Sequence, residues 1–81
     1  MKGIRMSGII TLVNDMRLSG TEYGKISVGT IEEPYGEGSE SVASIAISLQ
    51  GKLDDPDWKV HIPYANIEAV IEALQEAKAR L

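Results

Sequence analysis

The side chain best suited to proton transfer in this sequence is His61, the single histidine. It alternates with Lys59 along a predicted strand at 58–62, so both side chains point to the same side of that strand. Catalysis by a histidine needs a partner, such as a carboxylate that orients the ring or a nucleophile beside it. The sequence has no nucleophile motif, no HExxH motif and no cysteine, and the lack of cysteine excludes thiol catalysis and Cys-based zinc sites. We therefore predict an exposed strand histidine in a protein that is not an enzyme and that uses no metal or cofactor.

Three aspartates close together, Asp54, Asp55 and Asp57, have the side-chain type that binds calcium. A calcium loop of the EF-hand type needs a central glycine and a glutamate at its twelfth position, and the residue at that distance from Asp54 is Ala65. Pro56 also interrupts the acidic run, and Asp-Pro-Asp is common turn chemistry. We predict a turn here rather than a metal site.

Tyrosines beside basic side chains are typical of single-strand nucleic-acid binding, in which bases stack on aromatic rings while cations contact the phosphates. Tyr23 and Tyr35 flank the second predicted strand, in segments whose composition indicates turns. The chain has eight Lys and Arg against twelve Asp and Glu, a net charge of −4, so this interpretation requires the acids to lie elsewhere. We predict a site in which Lys25, Lys59 and His61 contact phosphates, and Tyr23 or Tyr35 stacks on a base.

Glu68, Glu72 and Glu76 are four residues apart, which places them on one side of a helix. Such a ridge is common as a solvated helix face, and it also offers an anionic surface to a basic protein partner. The negative net charge favours this alternative, an acidic protein-interaction module such as an inhibitor or assembly factor that uses the ridge or the acidic loop at 32–41. Nucleic-acid binding and protein interaction both stay open as hypotheses.

Four predicted strands and one helix position these residues. Strands with period-two alternation of apolar and polar residues are predicted at 4–13, 25–31, 42–50 and 58–62. After Pro63 the period changes to 3.6, which predicts an amphipathic helix at about 66–81 with Asn66 as its N-cap.

The end of the first strand has two interpretations. Asn14 and Asp15 form a turn signal, whereas Met16 and Leu18 keep the even-numbered register of the preceding apolar residues. Residues 4–18 therefore form either a hairpin or one long strand with a bulge.

A helix of about 16 residues is about 24 Å long, which is enough to cover one face of a four-stranded sheet. We therefore predict a single α+β domain over 1–81, with a four-stranded antiparallel sheet covered on one face by the C-terminal helix (ββββα) and a mobile acidic loop at 32–41. Trp58, Val60 and Ile62 are expected in the core beneath the helix. The other face is expected to be small, polar and functional, and its predicted residues are Arg5, Ser7, Thr11, Ser44, Ser48, Gln50, Lys59 and His61.

The size of the chain predicts self-association. A domain of 81 residues buries a small core, and without disulfides or a metal its usual support is a second subunit. Ile9 and Val13, on the nominally open face of the first strand, agree with a homodimer. No apolar run approaches the ~20 residues that span a bilayer, so no membrane partner is expected, and the lack of cysteine fits a reducing cytoplasm.

The segments IAISLQG (45–51), WKVHIP (58–63) and YANIEAVIEALQEAKARL (64–81) carry a family resemblance. In this pattern the chain resembles the single-strand-binding coactivators of the positive-cofactor type and the related Whirly and Pur-alpha repeats. That resemblance implies a last strand leading directly into a helix that covers the sheet, dimerisation through these elements, and single strands bound across the outer face of the sheet. The same strand-then-helix order is also similar to that of small acidic phage or plasmid proteins that act as protein-binding modules.

Overall fold

The computed structural model describes residues 9–81. Four strands are followed by one turn of 3₁₀ helix and a C-terminal α-helix. The elements are β1 (Ile9–Arg17), β2 (Lys25–Glu32), β3 (Val42–Ser48), β4 (Trp58–Pro63), the 3₁₀ turn (Tyr64–Asn66) and α1 (Ile67–Arg80). The strands form one antiparallel sheet in the order β1-β2-β3-β4, which confirms the predicted ββββα order and the α+β class. Within residues 9–81, no helix has the length and apolarity needed to cross a membrane.

β1 is one long strand with a bulge. Leu12 pairs with Gly29 and Asn14 pairs with Val28, so Val13 has no partner of its own on β2. For residues 9–17, the bulged strand is therefore correct and the hairpin is not. Residues 4–8 lie outside the described residues. Because the extra residue reverses the alternation, Leu12 and Met16 lie on opposite faces, and the prediction that they share a register is wrong.

The register divides the sheet into two faces. We call one side the serine face, because it carries Ser27, Ser44 and the residues in register with them on the other strands. We call the opposite side the apolar face, because it carries Val28, Ile45 and the residues in register with them. The serine face carries Ile10, Leu12, Asp15, Arg17, Lys25, Ser27, Gly29, Ile31, Val42, Ser44, Ala46, Ser48, Lys59, His61 and Pro63. The apolar face carries Ile9, Thr11, Asn14, Met16, Ile26, Val28, Thr30, Glu32, Ala43, Ile45, Ile47, Trp58, Val60 and Ile62.

The serine face is the better covered of the two at the centre of the sheet. Ser44 is 8% exposed and Ser48 is 2% exposed, because the loop at 49–57 brings Leu53 and Pro56 over this face. The prediction that these serines lie on an open polar face is therefore wrong. The buried apolar residues beside them are Ile31, Val42 and Ala46.

Other members of the predicted polar face also lie elsewhere. Thr11 pairs with Thr30 on the apolar face, and Gln50 belongs to the turn that follows β3. Arg5 and Ser7 lie outside the described residues. Only Lys59 and His61 of the predicted set are on the serine face without being fully buried.

The helix extends away from the sheet. It contacts the 3₁₀ turn, none of its residues is buried, and it packs on none of the strands that the structure describes. The expected cover of one sheet face by this helix is thus not found within one chain. The three residues between β4 and α1 are already helical, so the chain has no extended linker in which to reverse direction. As a result Trp58 is 58% exposed, and its expected place in the core is wrong.

Candidate nucleic-acid interface

The edge strand β4 presents Lys59 and His61 on the serine face. Lys59 pairs with Ala46 and His61 pairs with Ser44, both on the neighbouring strand β3. Because Lys59 and His61 are two positions apart on the strand, their Cα atoms are about 6.7 Å apart. The side chains beside them on β3 are small, and Lys59 lies at the edge of a cavity that Leu53 and Pro56 of the loop at 49–57 also line.

Tyr35 lies against His61 at one end of this face. Its hydroxyl is 3.3 Å from the histidine Nδ1, and the two ring centroids are 6.4 Å apart with the planes tilted by 51°. Tyr35 as a residue is 74% exposed. The structure therefore brings together two predicted site residues that are 26 positions apart in the sequence, and Tyr35 remains largely exposed there.

The loop that carries Tyr35 is held by its own hydrogen bonds. The Tyr35 N–H donates to Ser39 Oγ at 3.1 Å, and the Ser39 hydroxyl donates to the Gly36 carbonyl at 2.7 Å. The Gly38 N–H donates to Glu33 Oε2 at 3.0 Å, so one of the loop carboxylates accepts from its own backbone. Gly36 and Gly38 have φ values of 111° and 87°, which favour glycine at both positions.

His61 has one ring nitrogen without a partner. Its Nδ1 faces Tyr35, while its Nε2 is shielded from solvent and has no hydrogen-bond partner among residues 9–81. A shielded polar atom without a partner costs free energy, about 1–3 kcal/mol. The described residues thus leave Nε2 unpaired but also closed to solvent, so Lys59 rather than His61 is the side chain of β4 that a phosphate can reach.

Lys25 lies on the same face, two strands away from Lys59. It pairs with Ser48 on β3, and its Nζ is 3.6 Å from Asp15 Oδ2, with the two side chains 47% and 35% exposed. An exposed pair of this kind contributes little to stability, about 0–1 kcal/mol. Lys25 is therefore a cation that a phosphate can reach in competition with Asp15, whereas Lys59 has no ion-pair partner among the described residues.

Arg17 is a further cation of this face that the sequence did not assign to the site. It is the direct cross-strand partner of Lys25, and its Nη2 donates to the Thr21 carbonyl at 3.0 Å. Arg17 lies on the serine face because of the bulge at Val13. From the sequence, residues 4–18 could form either a hairpin or a bulged strand, so the face of Arg17 could not be predicted.

Tyr23 lies at the opposite end of the face from Tyr35. It belongs to the turn between β1 and β2, next to Lys25, and is 64% exposed. Gly51, in the turn after β3, lies close to the Tyr23 backbone, because a Cβ at Gly51 would be 2.7 Å from the Tyr23 carbonyl oxygen. The Gly51 φ of +74° also favours glycine at this position. The predicted stacking residues therefore lie at opposite ends of the serine face rather than forming one platform. The seven residues from Lys25 to Ile31 span about 20 Å.

The acidic turn at 54–57 has a structural role. The Leu49 N–H donates to Asp57 Oδ2 at 2.7 Å, and the Asp57 N–H donates to the Ile47 carbonyl at 2.9 Å. Both bonds fasten the loop at 49–57 to the end of β3, as the predicted turn requires. The part of the chain that the structure describes holds no group of three or more histidine, aspartate or glutamate side chains placed to bind a metal ion.

The helix glutamates are separate from this face. Glu68, Glu72 and Glu76 are all exposed on a helix that packs on none of the described strands, and Glu76 accepts a hydrogen bond from Arg80. The helix carries three of the twelve acidic residues and, with Lys78 and Arg80, a net charge of −1. Most of the net charge of −4 therefore lies in the rest of the chain, including the four glutamates of the loop at 32–41 that carries Tyr35. The serine face and the glutamate ridge are two distinct surfaces.

Comparison with known proteins gives no family assignment. Neither the protein-family models, the curated proteins nor the solved structures contain a match to this chain. The resemblance to the positive-cofactor, Whirly and Pur-alpha proteins therefore stays a prediction.

Proposed function

We propose that this chain is a non-enzymatic module that binds single-stranded nucleic acid on the serine face. The observation that carries the proposal is the placement of Lys25, Lys59 and His61 on one face of the sheet, with Tyr35 against the histidine. Lysines placed in this way contact the phosphates, and exposed aromatic rings stack on bases without regard to sequence.

The arrangement suggests how a strand would lie. Lys59 and His61 follow the edge strand, and Lys25 with its neighbour Arg17 continues the positive charge towards the opposite edge. Tyr23 and Tyr35 stand at opposite ends of the strands, so one bound strand meets a ring at each end of the face. In this model the ring of Tyr35 takes one base, while its hydroxyl keeps the histidine in place.

We further propose that the working unit is a homodimer, which doubles the number of lysines available to one nucleic-acid strand. For single strands the logarithm of affinity falls with the logarithm of salt concentration by about 0.7 per phosphate contact. Two lysine contacts per protomer give a slope of about −1.4, so affinity drops about sevenfold between 50 and 200 mM salt. Both protomers on one strand double the slope.

The test is a fluorescence-anisotropy titration with a labelled single-stranded oligonucleotide at ~50 mM salt. We expect binding in the wild type and its loss in Lys59→Glu. Lys52→Glu is the matched control, because it makes the same change in net charge in the loop after β3 and should retain most of the binding. No binding of the wild type at tens of micromolar protein, or equal losses in the two variants, would reject the proposal.

A second candidate function depends on the glutamate ridge. Glu68, Glu72 and Glu76 are exposed on a helix that is free of the sheet, which suits contact with a basic protein. This alternative predicts no oligonucleotide binding even at low salt. It also predicts that a variant with all three glutamates changed to glutamine loses its partner, whereas Lys59→Glu does not.

A further inference from the structure

The protomer exposes more surface than a folded chain of its mass. Its accessible surface is 6154 Å², whereas a compact protein of 8.8 kDa exposes about 4,800 Å². The radius of gyration is 14.8 Å, compared with about 12 Å for a compact domain of this length. The excess of about 1,400 Å² exceeds the roughly 800 Å² that each partner buries in a standard protein interface.

Large apolar side chains are exposed on the apolar face and on the helix, and also at Ile10 and Leu12 on the β1 edge of the serine face. On the apolar face of the sheet, Trp58 is 58% exposed and Val60 is 52% exposed. On the helix, Ile71 is 43% exposed and Leu74 is 61% exposed. The helical stripe consists of Ile67, Val70, Ile71, Leu74, Ala77 and Leu81.

These two surfaces are complementary in size. A helix of 14 residues is about 21 Å long, and four strands at about 4.8 Å spacing place the outer strands about 14 Å apart. One helix laid across the sheet therefore covers the apolar residues of all four strands. An isolated helix of this length is marginal in water, so the helix itself needs such a partner.

We infer that the occupant is a second copy of this chain, and that each copy lays its helix stripe across the apolar face of the other. Because the connection between β4 and α1 is short and helical, the helix extends away from its own sheet. The helix stripe therefore contacts the apolar face of a second chain instead of its own. The exchange is reciprocal, which gives a closed dimer with two identical contacts. It also leaves both serine faces on the outside, although the inference does not depend on what they bind.

Cysteine cross-linking tests the reciprocal contact. Because the chain has no cysteine of its own, every disulfide that forms joins introduced cysteines. Two proteins are prepared, Val60→Cys on the sheet and Leu74→Cys on the helix, and are mixed, exchanged and oxidised. We expect the mixture to give a covalent species of twice the 8.8 kDa chain mass, which contains one chain of each kind. Efficient dimers from Leu74→Cys alone would mean helix-to-helix pairing, and no cross-linked product in the mixture would mean no contact; either result overturns the inference.

Sedimentation equilibrium provides a second measurement that needs no cross-link. We expect a dimer at tens of micromolar wild type, and Leu74→Lys to raise the dissociation constant at least about a hundredfold, because a charge enters the apolar contact. Ala79→Lys is the matched control, since it adds the same charge about 140° round the helix from Leu74, outside the apolar stripe, and should leave the dimer intact. A wild-type mass of 8.8 kDa, or equal effects of the two lysines, would refute the reciprocal contact.

Discussion

Substitution of Gly29 by alanine tests the close approach of β1 and β2 at the bulge. Gly29 pairs with Leu12, directly before the unpaired Val13. A Cβ built on Gly29 lies 2.5 Å from the carbonyl oxygen of Thr11. Because the Thr11 oxygen belongs to the backbone, it cannot rotate away, and β1 must shift by almost 1 Å to restore an ordinary contact.

The expected loss of stability follows from two opposing effects. Forcing an extra carbon into a packed site costs about 1–3 kcal/mol. Alanine in place of glycine recovers about 0.5–1 kcal/mol, because the unfolded chain loses less entropy on folding. The net destabilisation is about 1–2 kcal/mol, which in a domain of this size lowers Tm by about 4–16 °C.

The assay is thermal unfolding followed by circular dichroism, at equal protein concentrations because association stabilises a folded chain by mass action. Ser27→Ala is the matched control, since it places alanine on the same face of β2 two residues earlier. If Gly29→Ala melts at or above the wild-type temperature while the control is unchanged, the close approach of β1 at the bulge is refuted. The placement of Asp15 and Arg17 on the serine face, which follows from that bulge, would then need revision.

Three further predictions concern the serine face. Asp15→Asn should raise oligonucleotide affinity by up to about fivefold at low salt, because the carboxylate 3.6 Å from Lys25 Nζ no longer competes with phosphate; anisotropy measures this. Tyr35→Ala should weaken binding by about 1–3 kcal/mol through the loss of one stacked base, whereas Tyr35→Phe, which loses only the hydroxyl contact with His61, should cost less. Ser48→Ala should lower the free energy of unfolding by about 1 kcal/mol in a denaturant titration, because its Oγ accepts a 2.8 Å hydrogen bond from a loop amide.

Each of these predictions has a control in the same chain. Asp54→Asn makes the same charge change in the 49–57 loop, and an equal gain in affinity there would show a general effect of net charge. Tyr64→Ala removes another exposed tyrosine, 73% exposed in the 3₁₀ turn, and an equal loss of binding would contradict stacking on Tyr35. Ser41→Ala removes the hydroxyl of an exposed serine directly before β3, and an equal loss of stability would contradict the contribution of the Ser48 hydrogen bond.

Local periodicity was sufficient to predict the elements. The alternation in 42–50 and the change of period after Pro63 correspond to β3 at Val42–Ser48 and to a helix at Ile67–Arg80. The shared side of Lys59 and His61 follows from the period of two within one strand and is confirmed by their pairing with β3. These properties were accessible because residues close in sequence determine them.

The tertiary structure decided which surfaces are covered. Ser48 became buried because a loop folds over its face, and Trp58 became exposed because the helix leaves the sheet. The bulge at Val13 placed Arg17 beside Lys25, and the loop after β2 brought Tyr35 to His61. Each of these outcomes depends on contacts between distant residues, and no pattern within a single segment of the chain encodes them.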